Sequence, residues 1–311
     1  MKWIFRENYQ STVPTVSAFG VQLASFTMGV ADDHMYHVFS NLESHKNSRN
    51  VGRRFITTIK NLMKWYDTDI FDKKSPGYRS ILATRAIHRL YMKKLPQRLG
   101  EHPEGHQWLS QTYMALVQMG MIGPLLSYPL NLTHLSDEDL EGMVHFWRVL
   151  GYMVGINDRY NVCRDGVAGL RSLTKEFVKN RAMPSLTSLT LEKATFSGLV
   201  CDAIVYTFLM PVQIFNIILA LGTMVDTGTD LKLNFVGSST WYERALVKCV
   251  KFAISRGLFA YSPVRVLLNF ASRWFVKHAN AEKLSTEPFN KTPFPKENFV
   301  CPYSASPRWK L

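Results

Sequence analysis

Phe55, Ile59, Leu62, Met63 and Tyr66 recur at the spacing of one helical face, with Lys60 and Lys64 on the opposite side. That period, near 3.6 residues, constrains the chain more than any other feature, because a strand would need alternation at every second residue. No alternating segment of useful length precedes Leu231. The pattern therefore predicts an all-α protein with a single large helical domain. The turn-rich run Asp72-Lys73-Lys74-Ser75-Pro76-Gly77 separates the first helix from the next, and a second break runs from Pro96 to Gly105. A third helix is expected from Gln111 to Gly123, closed by Pro124 and Pro129. Ser136 then offers an N-cap, and Asp137, Glu138 and Asp139 suit the positive end of the helix dipole. The helix so opened runs through Phe146 and Trp147 toward Gly155.

A chain of 311 residues can bury a substantial core, and an apolar share of 46% excludes wholesale disorder. The net charge of +13 points to an anionic surface. Nucleic acid is the weaker partner, since no zinc-finger spacing, Arg/Gly-rich tail or RNA-recognition signature is present. Cys163, Cys201, Cys249 and Cys301 lie far apart, without the spacing of a zinc site or a disulfide framework. The uncharged run from Asn8 to Ala31 imitates a signal sequence, yet its many amides and hydroxyls favour an ordinary helix. Two glycosylation sequons, at Asn131 and Asn290, matter only in a luminal setting.

The composition changes near Phe196. No charged residue occurs between Ala203 and Val225, a stretch long enough to cross a bilayer but interrupted by Pro211, Gln213 and Asn216. A buried core helix kinked at Pro211 is the competing reading. Further on, Arg244, Lys248 and Lys251 share one helical face, and Arg265, Arg273 and Lys277 flank Val266, Phe270 and Trp274. Such basic, aromatic-rich amphipathic helices suit anionic membranes, although a solvated basic face has the same pattern. Five prolines between Thr286 and Leu311 predict an irregular tail. The expected division is 1–230 for the helical catalytic-type domain and 231–311 for the basic helices and tail.

Two helical patches thirty residues apart carry the chemistry. Arg54 and Thr58 stand at i,i+4, and Arg85 and His88 at i,i+3, so each pair projects from one side of its helix. Ile81, Leu82, Ala83, Ala86, Ile87 and Leu90 make an apolar setting for His88. An imidazole among apolar walls, with guanidinium groups in reach, suits haem iron and its propionates. A buried histidine bonded to a carbonyl has the same local sequence. The order Arg-x-x-x-Thr, about thirty residues, Arg-x-x-His resembles the catalytic domain shared by bacterial rubber oxygenases (latex-clearing proteins) and the ER-bound oxygenase of mycophenolic acid biosynthesis. Animal members of that family are similar over more of the chain. The helix Ser110-Gln111-Thr112-Tyr113-Met114-Ala115-Leu116-Val117-Gln118 and the block from His145 to Asp158, His-Phe-Trp-Arg-Val-Leu-Gly-Tyr-Met-Val-Gly-Ile-Asn-Asp, carry this likeness. It runs from about Trp3 to Pro211.

The resemblance implies a globin-like helical core around haem b, with His88 as proximal iron ligand and Arg85 supporting the haem from the same helix. It places Arg54 and Thr58 on the distal side, near dioxygen and an apolar isoprenoid or lipid-like substrate. It also implies an oxidoreductase held at a membrane, such as the endoplasmic reticulum, with a cytoplasmic location as the alternative. Thr57 stands where latex-clearing proteins carry a lysine, and their catalytic glutamate has no counterpart by spacing, so a small substrate is expected rather than a polymer. The rival reading is a non-catalytic, membrane-associated helical protein that keeps the fold without haem. Asp137, Glu141 and His145, at i, i+4, i+8, could offer a non-haem metal site or a solvated acidic face. His34 with His37, and His102 with His106, lack further ligand spacing.

Overall fold

In a computed structural model, the chain is described over residues 32–127, 136–193 and 261–287. Short pieces at 229–233 and 303–307 and isolated positions near 29, 195–203 and 252–258 complete the described set. The helices are α1 (Asp33–Ser40), α2 (Ser48–Asp67), α3 (Pro76–Leu99), α4 (Gln111–Ser127), α5 (Asp137–Val154), α6 (Gly166–Phe177), α7 (Met183–Thr187) and α8 (Ser262–His278). Helix dominates the described residues, as the periodicity predicts. Two short strands, β1 (Thr229–Leu233) and β2 (Tyr303–Pro307), pair antiparallel, with Leu231 opposite Ala305. The expected irregular tail after Thr286 therefore contains a strand. Its partner lies far away in the sequence, where no local pattern could announce the pairing.

The helix starts follow their capping chemistry. Asn47 accepts a hydrogen bond from the Asn50 amide at 2.8 Å, and Ser75 Oγ accepts one from Tyr78 at 3.0 Å, with Pro76 in the first turn. Ser136 and Asp139 form a reciprocal capping box at the head of α5. Gly155 ends α5 at φ 109°, a left-handed conformation that a side chain would strain. Two helices outrun their expected ends. α3 continues through Pro96 to Leu99, and α4 continues through Pro124 to Ser127. Each proline removes one ladder bond, but the residues around it are buried and hold the turn: Leu95 at 1% exposure, Ile122 at 0% and Leu126 at 4%.

The main core joins α2 through α7 around Ile81, Ile122, Leu140, Leu150, Leu170 and Leu186. Each of these side chains contributes roughly 1.5–3 kcal/mol by leaving water. A second cluster packs Tyr36, Val51 and Ile59 against Phe196, Val200 and Val276. Val276 belongs to α8, so part of the expected C-terminal unit rests on α2. The pairs Arg273–Asp67 and Arg53–Glu282 lie across the same contact. The boundary expected at 230/231 falls within β1, and the uncharged stretch beyond Ala203 lies outside the described residues.

Between α6 and α7 the chain makes a π-helical turn, Val178–Ala182. The extra residue per turn rotates α7 relative to α6. Val178 faces a cavity beside α2, and Arg181 pairs with Asp32 at 2.7 Å.

Candidate functional site

The buried stripe of α3 carries Ile81, Leu95 and, half-buried between them, Thr84, Arg85, His88 and Tyr91. This corrects the apolar setting expected for His88. Ile81 is in the core, but Leu82, Ile87 and Leu90 are 44%, 46% and 47% exposed, on the other side of the helix. An apolar run identifies a helix without saying which of its faces is covered. His88 nevertheless points inward. Its Nδ1 is buried without a hydrogen-bond partner. Burial lowers the imidazole pKa and the neighbouring Arg54 charge lowers it further, while the Val154 carbonyl opposes both.

Arg85 and His88 thus both meet the C-terminal end of α5. Arg85 Nη1 donates to the Met153 carbonyl at 3.3 Å, and its side chain lies along Gly155. Cations at a helix C-terminus complement the dipole and the open carbonyls. Arg85 therefore has a structural task at the place where the resemblance expects a haem-supporting one.

Arg54 is the centre of the site. Its charge reaches His88 and Tyr91 on α3, and also His45, in the 3-10 turn Glu43–His45. Burial lowers the pKa of the guanidinium, and the Tyr91 phenol acts against that. Among the described residues no carboxylate pairs with it. Arg54 and Thr58, one turn apart on α2, line an apolar cavity of ≈ 160 Å³. Phe55, Leu116, Val117, Met121 and Phe177 supply apolar parts of its wall. His88 is not part of that wall. His45 is, with its Nδ1 3.1 Å from Ser44 Oγ. Burial, then Arg54, lowers the His45 pKa to about 3, so its ring is neutral at physiological pH.

His45 escaped the sequence reading, since neither its spacing nor its neighbours distinguish it. Other candidates also find their places. Glu141 accepts a hydrogen bond from the Val167 amide at 3.3 Å, at the head of α6, and His145 is exposed. Among the described residues no group of three His, Cys, Asp or Glu side chains could hold a metal ion. His34, by contrast, is buried. It lies 2.8 Å from His102 Nε2 and 2.7 Å from the Trp108 carbonyl, and stacks on Tyr113 at 3.4 Å.

The residues of the family-like motifs meet one another. Gln111 donates to the Gly155 carbonyl at 3.0 Å and accepts from the Asn157 amide at 2.6 Å. Gln118 donates to the Trp147 carbonyl at 2.7 Å and to Asn161 at 3.2 Å. Arg148 forms a two-point pair with Asp158 at 3.0 and 2.7 Å. These bonds fasten α4 to α5 and fix the loop after α5. The glutamines in the Ser-Gln-x-x-Met-Ala-x-x-Gln helix are positioned by these hydrogen bonds.

No family, no curated protein and no solved structure matches this chain. The likeness to the oxygenase family rests on the motif residues alone.

Proposed function

We propose that the protein is a haem b-dependent oxidoreductase of the oxygenase type, with His88 as axial ligand to the iron and an apolar small molecule as substrate. One observation carries this reading: a buried imidazole nitrogen without a partner, on a ring kept neutral by burial and by the adjacent Arg54. Iron takes a neutral imidazole, so the donor fits. The space fits less well, since His88 is not among the residues that line the cavity. The cavity's ≈ 160 Å³ falls below the roughly 300–1,000 Å³ of ordinary ligand sites, and a porphyrin needs more room than it offers. When bound, haem supplies the redox chemistry on dioxygen. The chain's own contribution would be the ligand at His88, the donors Arg54 and Thr58 facing the cavity, and apolar walls that exclude water.

The 311-residue chain reconstituted with haemin should show a Soret band at one haem per chain. His88→Ala should lose it while keeping its helical circular dichroism. An unchanged band in that variant removes His88 from the role. The small cavity favours a second reading, a non-catalytic protein that keeps the fold without haem. No Soret band in the wild type would establish it over the first.

Membrane association belongs to both readings. Among the described residues no helix is long and apolar enough to cross a membrane. α8 exposes Val266 at 63%, Leu267 at 66% and Phe270 at 69%, and carries Lys277 and His278 exposed in its last turn. The outer face of α3 exposes Leu82, Ile87 and Leu90 beside Arg89, Lys93 and Lys94. Apolar strips bordered by cations suit an anionic bilayer. The protein is expected to float with vesicles containing phosphatidylserine and to be released by high salt. Equal recovery with neutral vesicles would remove the electrostatic part, and no flotation at all would remove the association.

A further inference from the structure

Arg54 poses a physical problem that its described neighbours do not solve. A guanidinium cannot shed its charge in a protein, and taking it out of water without a counter-charge is costly. Burial acts on Arg54, the Tyr91 phenol is the favourable influence, and no described carboxylate is in contact. The cavity's own carboxylate, Asp32, is already committed. It pairs with Arg181 at 2.7 Å and accepts from the Met35 amide at 3.2 Å. The imidazoles near Arg54, at His45 and His88, are held neutral, so among the described residues the site carries a single net positive charge. Thr58 adds a hydroxyl one turn along α2, and the remaining wall is almost wholly apolar.

We infer that the cavity binds a small amphipathic monocarboxylate, its head group on Arg54 and Thr58 and its hydrocarbon tail between α2, α4 and α6. A carboxylate matches the planar guanidinium fork, and one negative charge balances the site where a phosphate dianion would exceed it. The tail displaces water from walls formed by Leu116, Val117, Met121 and Phe177. This assignment rests on the reading of the cavity as the substrate site, and it names that substrate's chemistry. It is separable from the haem, because binding can be read in haem-free protein.

Calorimetry with octanoate and with octanol, on the haem-free 311-residue chain, tests it. Octanoate is expected to bind one per chain, at least tenfold more tightly than octanol, and to raise the melting temperature. Arg54→Met should abolish that preference and fold as stably as the wild type or more so, since it removes a half-buried charge that no described carboxylate balances. Thr58→Val, close in shape to threonine, should weaken octanoate severalfold and leave octanol unchanged. Equal binding of the two probes, binding of neither, or an undiminished preference in Arg54→Met would each overturn the assignment. The Soret measurement on the same preparations bears on the haem alone, so the two ideas can fail separately.

Discussion

Acidification from pH 7 to pH 4.5 is expected to cost the fold about 3 kcal/mol through His45 alone. The folded-state pKa of that imidazole is about 3, against 6.5 in the unfolded chain. As the pH falls below 6.5 the unfolded chain takes up the proton first, so unfolding is favoured. The contribution is fully present above pH 6.5 and is lost progressively as the pH falls toward 3. His34 and His88 are also depressed, chiefly by burial, and act in the same direction. Urea denaturation at the two pH values measures the total. His45→Gln, which cannot take the proton, should show a flatter dependence even if its stability at pH 7 is lower. A wild type equally stable at both values, or a variant with an undiminished slope, contradicts the assignment.

Gly151→Ala is expected to destabilise the protein by about 3 kcal/mol, combining overpacking with the disturbance of a buried polar network. A Cβ at this position would collide with the Gln118 amide nitrogen and come within 2.8 Å of Asn161 Nδ2. Neither neighbour can retreat freely. Gln118 is 4% exposed and donates to the Trp147 carbonyl, while Asn161 donates to the Arg148 carbonyl at 2.8 Å and accepts from the Cys163 amide at 3.1 Å. Thermal melting should show a fall of roughly 6–12 °C, using about 2–4 °C per kcal/mol for a domain of this class. Gln118→Ala in the Gly151→Ala background should recover part of the loss by making room. A single variant that melts with the wild type would show that the network yields to an added methyl group.

Much of this architecture was legible beforehand, because helix starts and stops are local. Ser136 opens α5 and Gly155 closes it within the residues where their chemistry stands. The proline stops failed, since Pro96 and Pro124 sit where buried neighbours hold the helix against a lost hydrogen bond. Spacing placed Arg54 and Thr58 on one side of a helix, and the cavity receives both. It could not bring in His45, which reaches Arg54 through a turn, nor the His34–His102 contact, whose partners lie 68 residues apart. The apolar residues around His88 marked a helix correctly and its covered face wrongly. Only the packing of α3 on α2 and α5 divides them.

Gln111 and Gln118 have a mechanical consequence. They stand two turns apart on α4 and grip α5 at two heights, Gly155 and Trp147, so the pair works as a ruler. Sliding one helix past the other by a single turn would break both grips together and leave the buried Gln118 amide unpaired. The α4–α5 unit is thus a fixed wall, and any widening of the cavity that admits a ligand must come from the other helices that line it, α1, α2 and α6.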